Sequence, residues 1–369
     1  MNNNKKPLNE AEIISRLKQG RVSFPPLSLR FKERKQPKAG ARLDGLVEIT
    51  WAKVKADFAL EIKALSTPKA FMDALSLLKN TRLTKNLLPM LIVPFLNEER
   101  LKELEKEGIS GIDLCGNGIV TAADKFAIYR TGQPNRFPSY SPIKNVYRKN
   151  SSLVSRLFLV RPVFTSVNEV LEGIKDLDFM SKALNRPSIN LSTVSKALAE
   201  MENDLIISRN NGQIRLLQPE VLLDKLSENY RAPENRSIIS LKVDLDRLSL
   251  LKRLAESSKE ANTPVMVGGL SSVSRYAVMQ RGEEVTIYSA RPEEVIKQLP
   301  GKETDKFANL KLVEIEDATV YFDAREENGL LWSSPVQTYL ELMKGDKRDQ
   351  ETAQQVRNEI LTPLKKTLQ

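Results

Sequence analysis

The stretch from Leu43 to Leu78 most constrains how this chain folds, because it writes two strands and a capped helix with few residues between them. Leu43-Asp44-Gly45-Leu46-Val47-Glu48-Ile49 reads as an apolar strand, Lys53 to Asp57 as a polar turn, and Phe58-Ala59-Leu60-Glu61-Ile62-Lys63 as the returning strand. Side chains alternate across a strand, so Glu61 and Lys63 share one face, Ile62 packs behind them, and Asp44 is placed to join them from the neighbouring strand. Thr67-Pro68 then supplies an N-cap and a proline at the first helical position, predicting a helix through Leu78.

The 369 residues include no histidine, which removes the commonest general base and the commonest zinc ligand together. Ser-His-Asp, Cys-His and zinc-hydrolase chemistries are excluded. Catalysis in this chain has to rest on carboxylates, lysines and a hard cation such as magnesium. Asp44 and Glu61, with a main-chain carbonyl, form a candidate magnesium site of oxygen ligands. The metal would acidify an attacking water and stabilise the departing oxygen, while Lys63 orients the nucleophile or neutralises developing charge. The alternative is that the same charges line a solvated or DNA-facing edge with no metal.

The formal charge of +10 and a pI near 9.4 point to a polyanionic partner, with double-stranded DNA the expectation. Arg16, Lys18, Arg21, Arg30, Lys32, Arg34, Lys35 and Lys38 lie in one stretch with only Glu33 against them. With the prolines of SFPPLS, the stretch reads as an extended basic arm, or else as a solvated charge run. Arg30, Lys32, Arg34 and Lys35 are its candidate DNA contacts. No run of eighteen apolar residues occurs, MNNNKKPLNEAE carries no secretory signal, and the single Cys115 excludes an internal disulfide. A cytoplasmic location is the expectation.

Three blocks follow from the punctuation of the chain, at residues 1–145, 146–230 and 231–369, the first closing in TGQPNRFPSYSPIKN. Late in the first, Met90 to Val93 reads as a buried strand. A helix follows with Leu101, Leu104 and Ile109 at helical spacing, and then a strand at Ile112 and a turn at Gly116-Asn117-Gly118. Asp113 beside that turn reads as a structural cap. The second block predicts helices over residues 151–161 and 178–185, the latter with Phe179, Met180 and Leu184 inward. A third helix begins after Pro187, at Asn190, with Leu191, Val194, Leu198 and Met201 on one face and Ser192, Thr193, Ser195 and Lys196 outside. This is the pattern of a recognition helix in a helix-turn-helix. Leu205 to Ser208 and Gln213 to Leu217 flank Asn210-Asn211-Gly212, predicting a hairpin wing from which Arg209, Asn211 and Arg215 reach DNA. An all-helical interaction module is the alternative.

The third block reads as α+β. Gly268-Gly269-Leu270-Ser271-Ser272 resembles the Gly-Ser turn of nucleotidyltransferases, but the next acids, Glu283-Glu284, are adjacent and face opposite ways, so the domain reads as catalytically inert. A long polar helix is predicted after Pro335, with Trp332, Val336, Tyr339 and Leu340 inward. The GDKRDQETA surface with Arg357 is then either a partner face or a plain solvated helix.

Two family resemblances rest on these residues. Asp44, Glu61-x-Lys63 and the helix after them resemble the PD-(D/E)XK restriction-endonuclease-like fold, which implies a magnesium-dependent DNA endonuclease with Glu10 or Glu12 as an extra acid. From about residue 41 to 361, and most strongly over 87–130, 178–226 and 332–361, the chain resembles the AbiEi antitoxins of type IV toxin-antitoxin systems. That resemblance implies a winged helix binding the operator of its own operon and a nucleotidyltransferase-type toxin as partner, and it leaves a homodimer open. The expected architecture is therefore α/β, then α, then α+β. The leading functional expectation is a DNA-binding regulator. Its rivals are a magnesium-dependent endonuclease in phage defence, targeted by the winged helix, and a DNA-binding scaffold that recruits an effector through the third block.

Overall fold

A computed structural model describes residues 8–32, 43–84, 86–137, 145–180, 188–233, 237–278, 284–304 and 306–368. The fold is mixed α/β and separates into two units, residues 1–142 and 143–369.

In the first unit, helix α1 (Glu10–Lys18) precedes a seven-stranded sheet whose spatial order equals its chain order. The strands are β1 (Ser28–Lys32), β2 (Gly45–Trp51), β3 (Val54–Ile62), β4 (Leu87–Val93), β5 (Ser110–Asp113), β6 (Gly118–Ala122) and β7 (Phe126–Arg130). Pairing is antiparallel from β1 to β3, parallel from β3 to β5, and antiparallel again to β7. Parallel neighbours need crossover connections. These are α2 (Pro68–Asn80), capped by Thr67 accepting from the Ala70 N–H, and α3 (Glu98–Lys106). Alternation along β3 sends Phe58, Leu60 and Ile62 towards α1 and Ala59 towards α2 and α3, so the sheet is buried on both faces at its centre.

Two expectations fail here. Lys53 to Asp57 is not a turn: β3 already runs from Val54, and Trp51 pairs with Val54 across a tight Ala52-Lys53 turn. Lys55 and Asp57 are exposed while Ala56 is buried, so the polar residues are the solvent side of a strand. The basic stretch is not an extended arm over Ser28–Lys32 either, since that segment is the edge strand β1 with Arg30 opposite Glu48. Opposite charges facing across an antiparallel pair favour that register.

The second unit begins with α4 (Ser152–Val160), β8 (Val163–Phe164), α5 (Val167–Leu177), α6 (Leu191–Asn203), β9 (Ile207–Asn210), β10 (Gln213–Leu216) and α7 (Pro219–Asn229). The three strands form a sheet in the order β8-β10-β9. The β9–β10 connection is the two-residue Asn211-Gly212 turn, with φ of +53° and +73°, values that Asn and Gly adopt at little cost. Helix α5 lies between residues 161 and 178, where the sequence expectations place no helix. Val167, Val170, Leu171, Ile174 and Leu177 recur at helical spacing and pack on the core, with Val170 and Ile174 fully buried, so the periodicity is a sufficient signal for it. The helix expected over 178–185 falls largely on residues 181–187, outside the described residues.

The rest of this unit is a seven-stranded mixed sheet with the order β14-β11-β15-β13-β12-β17-β16. Its strands are β11 (Ile238–Val243), β12 (Met266–Val267), β13 (Val285–Ser289), β14 (Gly301–Glu303), β15 (Leu310–Glu314), β16 (Arg325–Glu327) and β17 (Leu330–Trp332), with helices α8 (Arg247–Glu260) and α9 (Pro292–Ile296). The polar helix expected after Pro335 is two helices, α10 (Pro335–Leu342) and α11 (Lys347–Leu368). Val194, Leu198 and Met201 of α6, Leu222 and Leu226 of α7, Tyr339 of α10, and Val356 and Ile360 of α11 lie in one buried cluster. The second and third sequence blocks thus share a hydrophobic core. Among the described residues, no helix is long and apolar enough to cross a membrane.

Candidate functional site

The first unit brings Asp44, Glu61 and Lys63 together at one end of the β2–β3 pair. Asp44 lies one residue before β2, where its N–H donates to the Leu60 carbonyl (2.9 Å) and its Oδ2 accepts from the Ile62 N–H (2.7 Å). This fixes its carboxylate beside the end of β3. Glu61 is only 3% exposed, and its Oε1 pairs with Lys63 Nζ at 2.6 Å. Burial pushes the Glu61 carboxyl above its ordinary value; the Lys63 bond opposes this and the fields of Asp44 and Glu10 add to it. Burial acts to lower the Lys63 ammonium, but the bond to Glu61 and the charges of Glu61, Glu10 and Asp44 outweigh it and hold the group raised. Three acids therefore act on one lysine, an excess of negative charge in a partly desolvated place.

Glu12 takes a different role from Glu10. Its Oε2 accepts from the Asn9 N–H (3.0 Å) while Asn9 Oδ1 accepts from the Glu12 N–H (2.8 Å), a capping box that commits Glu12 to starting α1. Asp113 is structural in the same sense. Its oxygens accept from the N–H groups of Leu96, Cys115, Gly116 and Asn117 and from Asn117 Nδ2, over 2.6–2.9 Å. Of the basic stretch, Arg30 is exposed, Lys32 bridges Glu48 (2.8 Å) and Asp57 (2.9 Å), and Arg34 and Lys35 lie outside the described residues.

In the second unit, α6 buries Val194, Ala197, Leu198 and Met201 and leaves Ser192, Ser195 and Lys196 exposed, with Thr193 half-buried. Leu191, expected on the inner face, is 43% exposed because it is the first helical residue and sits beyond the stripe. Asn190 is the N-cap: its Oδ1 accepts from the Thr193 N–H at 2.9 Å. Of the hairpin arginines, Arg215 is bonded within the fold, while Arg209 lies near Glu202 with its buried Nε and Nη2 making no hydrogen bond among the described residues. Arg209 Nε lies 3.6 Å from Glu202 Oε2, and Arg215 Nη2 donates to the Leu368 carbonyl at 2.5 Å. Asn211, at the hairpin tip, is exposed.

No family model, curated protein or solved structure matches this chain.

The Gly268-Gly269 turn does not have the form of a phosphate cradle. A side chain at Gly268 would meet the Tyr288 ring at 2.2 Å, and the Gly269 N–H donates to Glu341 Oε2 at 3.0 Å. Glu341 also accepts from Tyr288 Oη (3.2 Å) and Gln337 Nε2 (2.8 Å), so an acid of the chain itself occupies the amide a phosphate would need. Glu283 lies outside the described residues. Trp332, Val336, Tyr339 and Leu340 are buried, and Arg357 pairs with Asp224 Oδ1 at 2.5 Å, which ties α11 to α7. One group escaped the sequence reading altogether. Arg156 is buried inside SLVSRLFLV, a helix in which seven of the other residues are apolar or serine and buried too; an arginine in so apolar a run was the available signal.

Proposed function

We propose that this chain is a DNA-binding regulator of the AbiEi antitoxin kind, and that α6 is its recognition helix and β9–β10 its wing. The observation that carries this reading is the surface of α6, where Ser192, Ser195 and Lys196 stand exposed opposite the buried stripe of Val194, Leu198 and Met201. The element order of helix, strand, two helices and a hairpin in a three-stranded sheet suits a winged helix. Short polar side chains at the start of such a helix fit against base edges, and Lys196 supplies phosphate attraction. Asn211 is the wing residue left free to approach DNA, since Arg215 is held by the C-terminal helix. By the family resemblance, the DNA is the operator of its own operon and the partner is a nucleotidyltransferase-type toxin. The test is binding of the full chain to duplexes from upstream of its own gene and to scrambled duplexes. Lys196→Glu is expected to weaken binding at least about tenfold, and equal affinity of variant and native protein would sink the reading.

A second reading is favoured by one specific observation, the convergence of Glu10, Asp44, Glu61 and Lys63 in the order α1-β1-β2-β3-α2-β4, which suits a PD-(D/E)XK nuclease. Among the described residues, no group of three His, Cys, Asp or Glu side chains stands placed to hold a metal. A magnesium ion, however, is often bound by one or two carboxylates with water and substrate phosphate completing its shell. Asp44 Oδ1 and Glu61 Oε2, which have no bond among the described residues, fit that role. Bound there, magnesium would acidify water for phosphodiester hydrolysis. Lys63 would hold the nucleophile, and Glu10 would add negative field. Supercoiled DNA incubated with magnesium, manganese or chelator decides it: metal-dependent cleavage lost in Glu61→Ala supports the nuclease, and intact DNA under all conditions leaves the site as architecture.

A further inference from the structure

A cleft of about 550 Å³ opens in the second unit between α4, the end of α7 and the loop carrying Asp317 and Thr319. Four cationic side chains, Arg148, Lys149, Arg156 and Arg231, line it against two acids, Glu316 and Asp317. Arg156 is the unusual member. It is 3% exposed, and its Nη1 donates to the Thr319 carbonyl (3.0 Å) and to Gln337 Oε1 (2.9 Å). Its Nε is buried without a partner, and it forms no ion pair with any described carboxylate. Its hydrogen-bond partners are neutral, and the fields of Asp317 and of the buried Glu341, which Gln337 bridges to it, offset only part of the hydration its guanidinium loses. Asp317 relieves it only in part: its field favours the charge, but it makes no bond to Arg156, and its Oδ1 accepts from the Thr319 N–H (2.9 Å) and hydroxyl (2.7 Å). Tyr147 and Tyr230 complete the wall with aromatic surface.

We propose that this cleft binds a phosphate-bearing small molecule of nucleotide size, with Arg156 as its buried anchor and Lys149 and Arg231 at its mouth. The volume lies within the range of small-molecule sites, and arginine matches phosphate oxygens through its planar fork. A duplex is the poorer occupant, because a cation this buried is beyond the reach of a DNA backbone. Arg156 projects from α4, which shares one core with α6. Occupancy therefore changes DNA affinity, a consequence that rests on the α6 reading, whereas the cleft itself does not.

The test uses the full chain without DNA, titrated calorimetrically with ATP, GTP and pyrophosphate. Binding of at least one probe is expected, weakened tenfold or more in a Lys149→Glu, Arg231→Glu double variant whose circular dichroism and thermal midpoint match the native protein; both residues are exposed, so the fold is spared. Arg156→Lys, which keeps the charge and loses the fork, is expected to weaken binding as well. No heat with any probe at millimolar concentration, or equal binding by the double variant, overturns the site. A second arm measures DNA affinity with and without the probe that binds. A shift of fivefold or more supports regulation, and an unchanged affinity refutes the regulatory half. Absence of DNA binding alone would instead count against α6 and leave the calorimetric result standing.

Discussion

Asp113 and Glu61 are both buried carboxylates at the ends of parallel strands in one sheet, 1% and 3% exposed, yet their surroundings differ in kind. Asp113 receives five hydrogen bonds, four of them from main-chain N–H groups, and knots the loop after β4 to the turn after β5. Glu61 has one partner, Lys63, and two acids acting against it. A saturated acid belongs to the fold. An unsaturated one in a negative field is the one the nuclease reading assigns to a cation. The same distinction separates Arg215, held by the Leu368 carbonyl, from Lys196, which stands exposed on α6.

The contrast breaks most readily at Asp113. Asp113→Ala leaves buried main-chain donors unmet, so denaturant unfolding is expected to show a loss of roughly 3–5 kcal/mol. Glu61→Gln is the opposite case. It removes a carboxyl whose charged form burial disfavours, so stability at neutral pH is expected to hold or rise, while any magnesium-dependent cleavage falls about a hundredfold or more. A large loss of stability there would place Glu61 with Asp113.

Asp323 sharpens the comparison as a carboxylate that, among the described residues, has neither a side-chain hydrogen bond nor a group of acids around it. Burial pushes it up to about 6, Arg325 opposing, and its Oδ2 is buried without a partner. Its protonated form is the one the fold prefers. Its contribution is therefore complete below about pH 4 and is lost as pH rises through about 6. Asp323→Asn, neutral at every pH and suited to the left-handed φ of +56°, is expected to leave stability unchanged in acid. Above pH 6 it should add roughly 1–3 kcal/mol, read from unfolding curves across pH. The smallest effect is at Asn190, whose role is the cap: Asn190→Ala should cost about 1 kcal/mol of stability. A loss of DNA affinity without that destabilisation would make it a contact instead.

How much was legible from sequence follows the range of the interactions. The Glu61–Lys63 face, the Thr67-Pro68 helix start and the Asn211-Gly212 turn are set by residues two to four apart, and alternation, capping and positive φ announce them. Strand β1 does not announce itself because Lys32 is partnered by Glu48 and Asp57 and Arg30 lies opposite Glu48, charges supplied by other strands. Leu191 was misassigned because periodicity does not say where a helix begins relative to its core. The core shared between α6, α7, α10 and α11 depends on contacts across more than a hundred residues, which no local pattern carries. Arg156 stands out locally as an arginine in an apolar run, but its partners, Thr319 and Gln337, lie too far along the chain for its setting to be read there.

The most direct test of the central claim is fluorescence anisotropy of the full chain with labelled duplex at several salt concentrations, for the native protein and Lys196→Ala. The account predicts duplex binding that weakens with salt, and a variant that binds less tightly with a log–log salt slope shallower by about one. Identical affinity and slope in the two proteins would contradict it, and α6 would then be a helix of the core with no part in reading DNA.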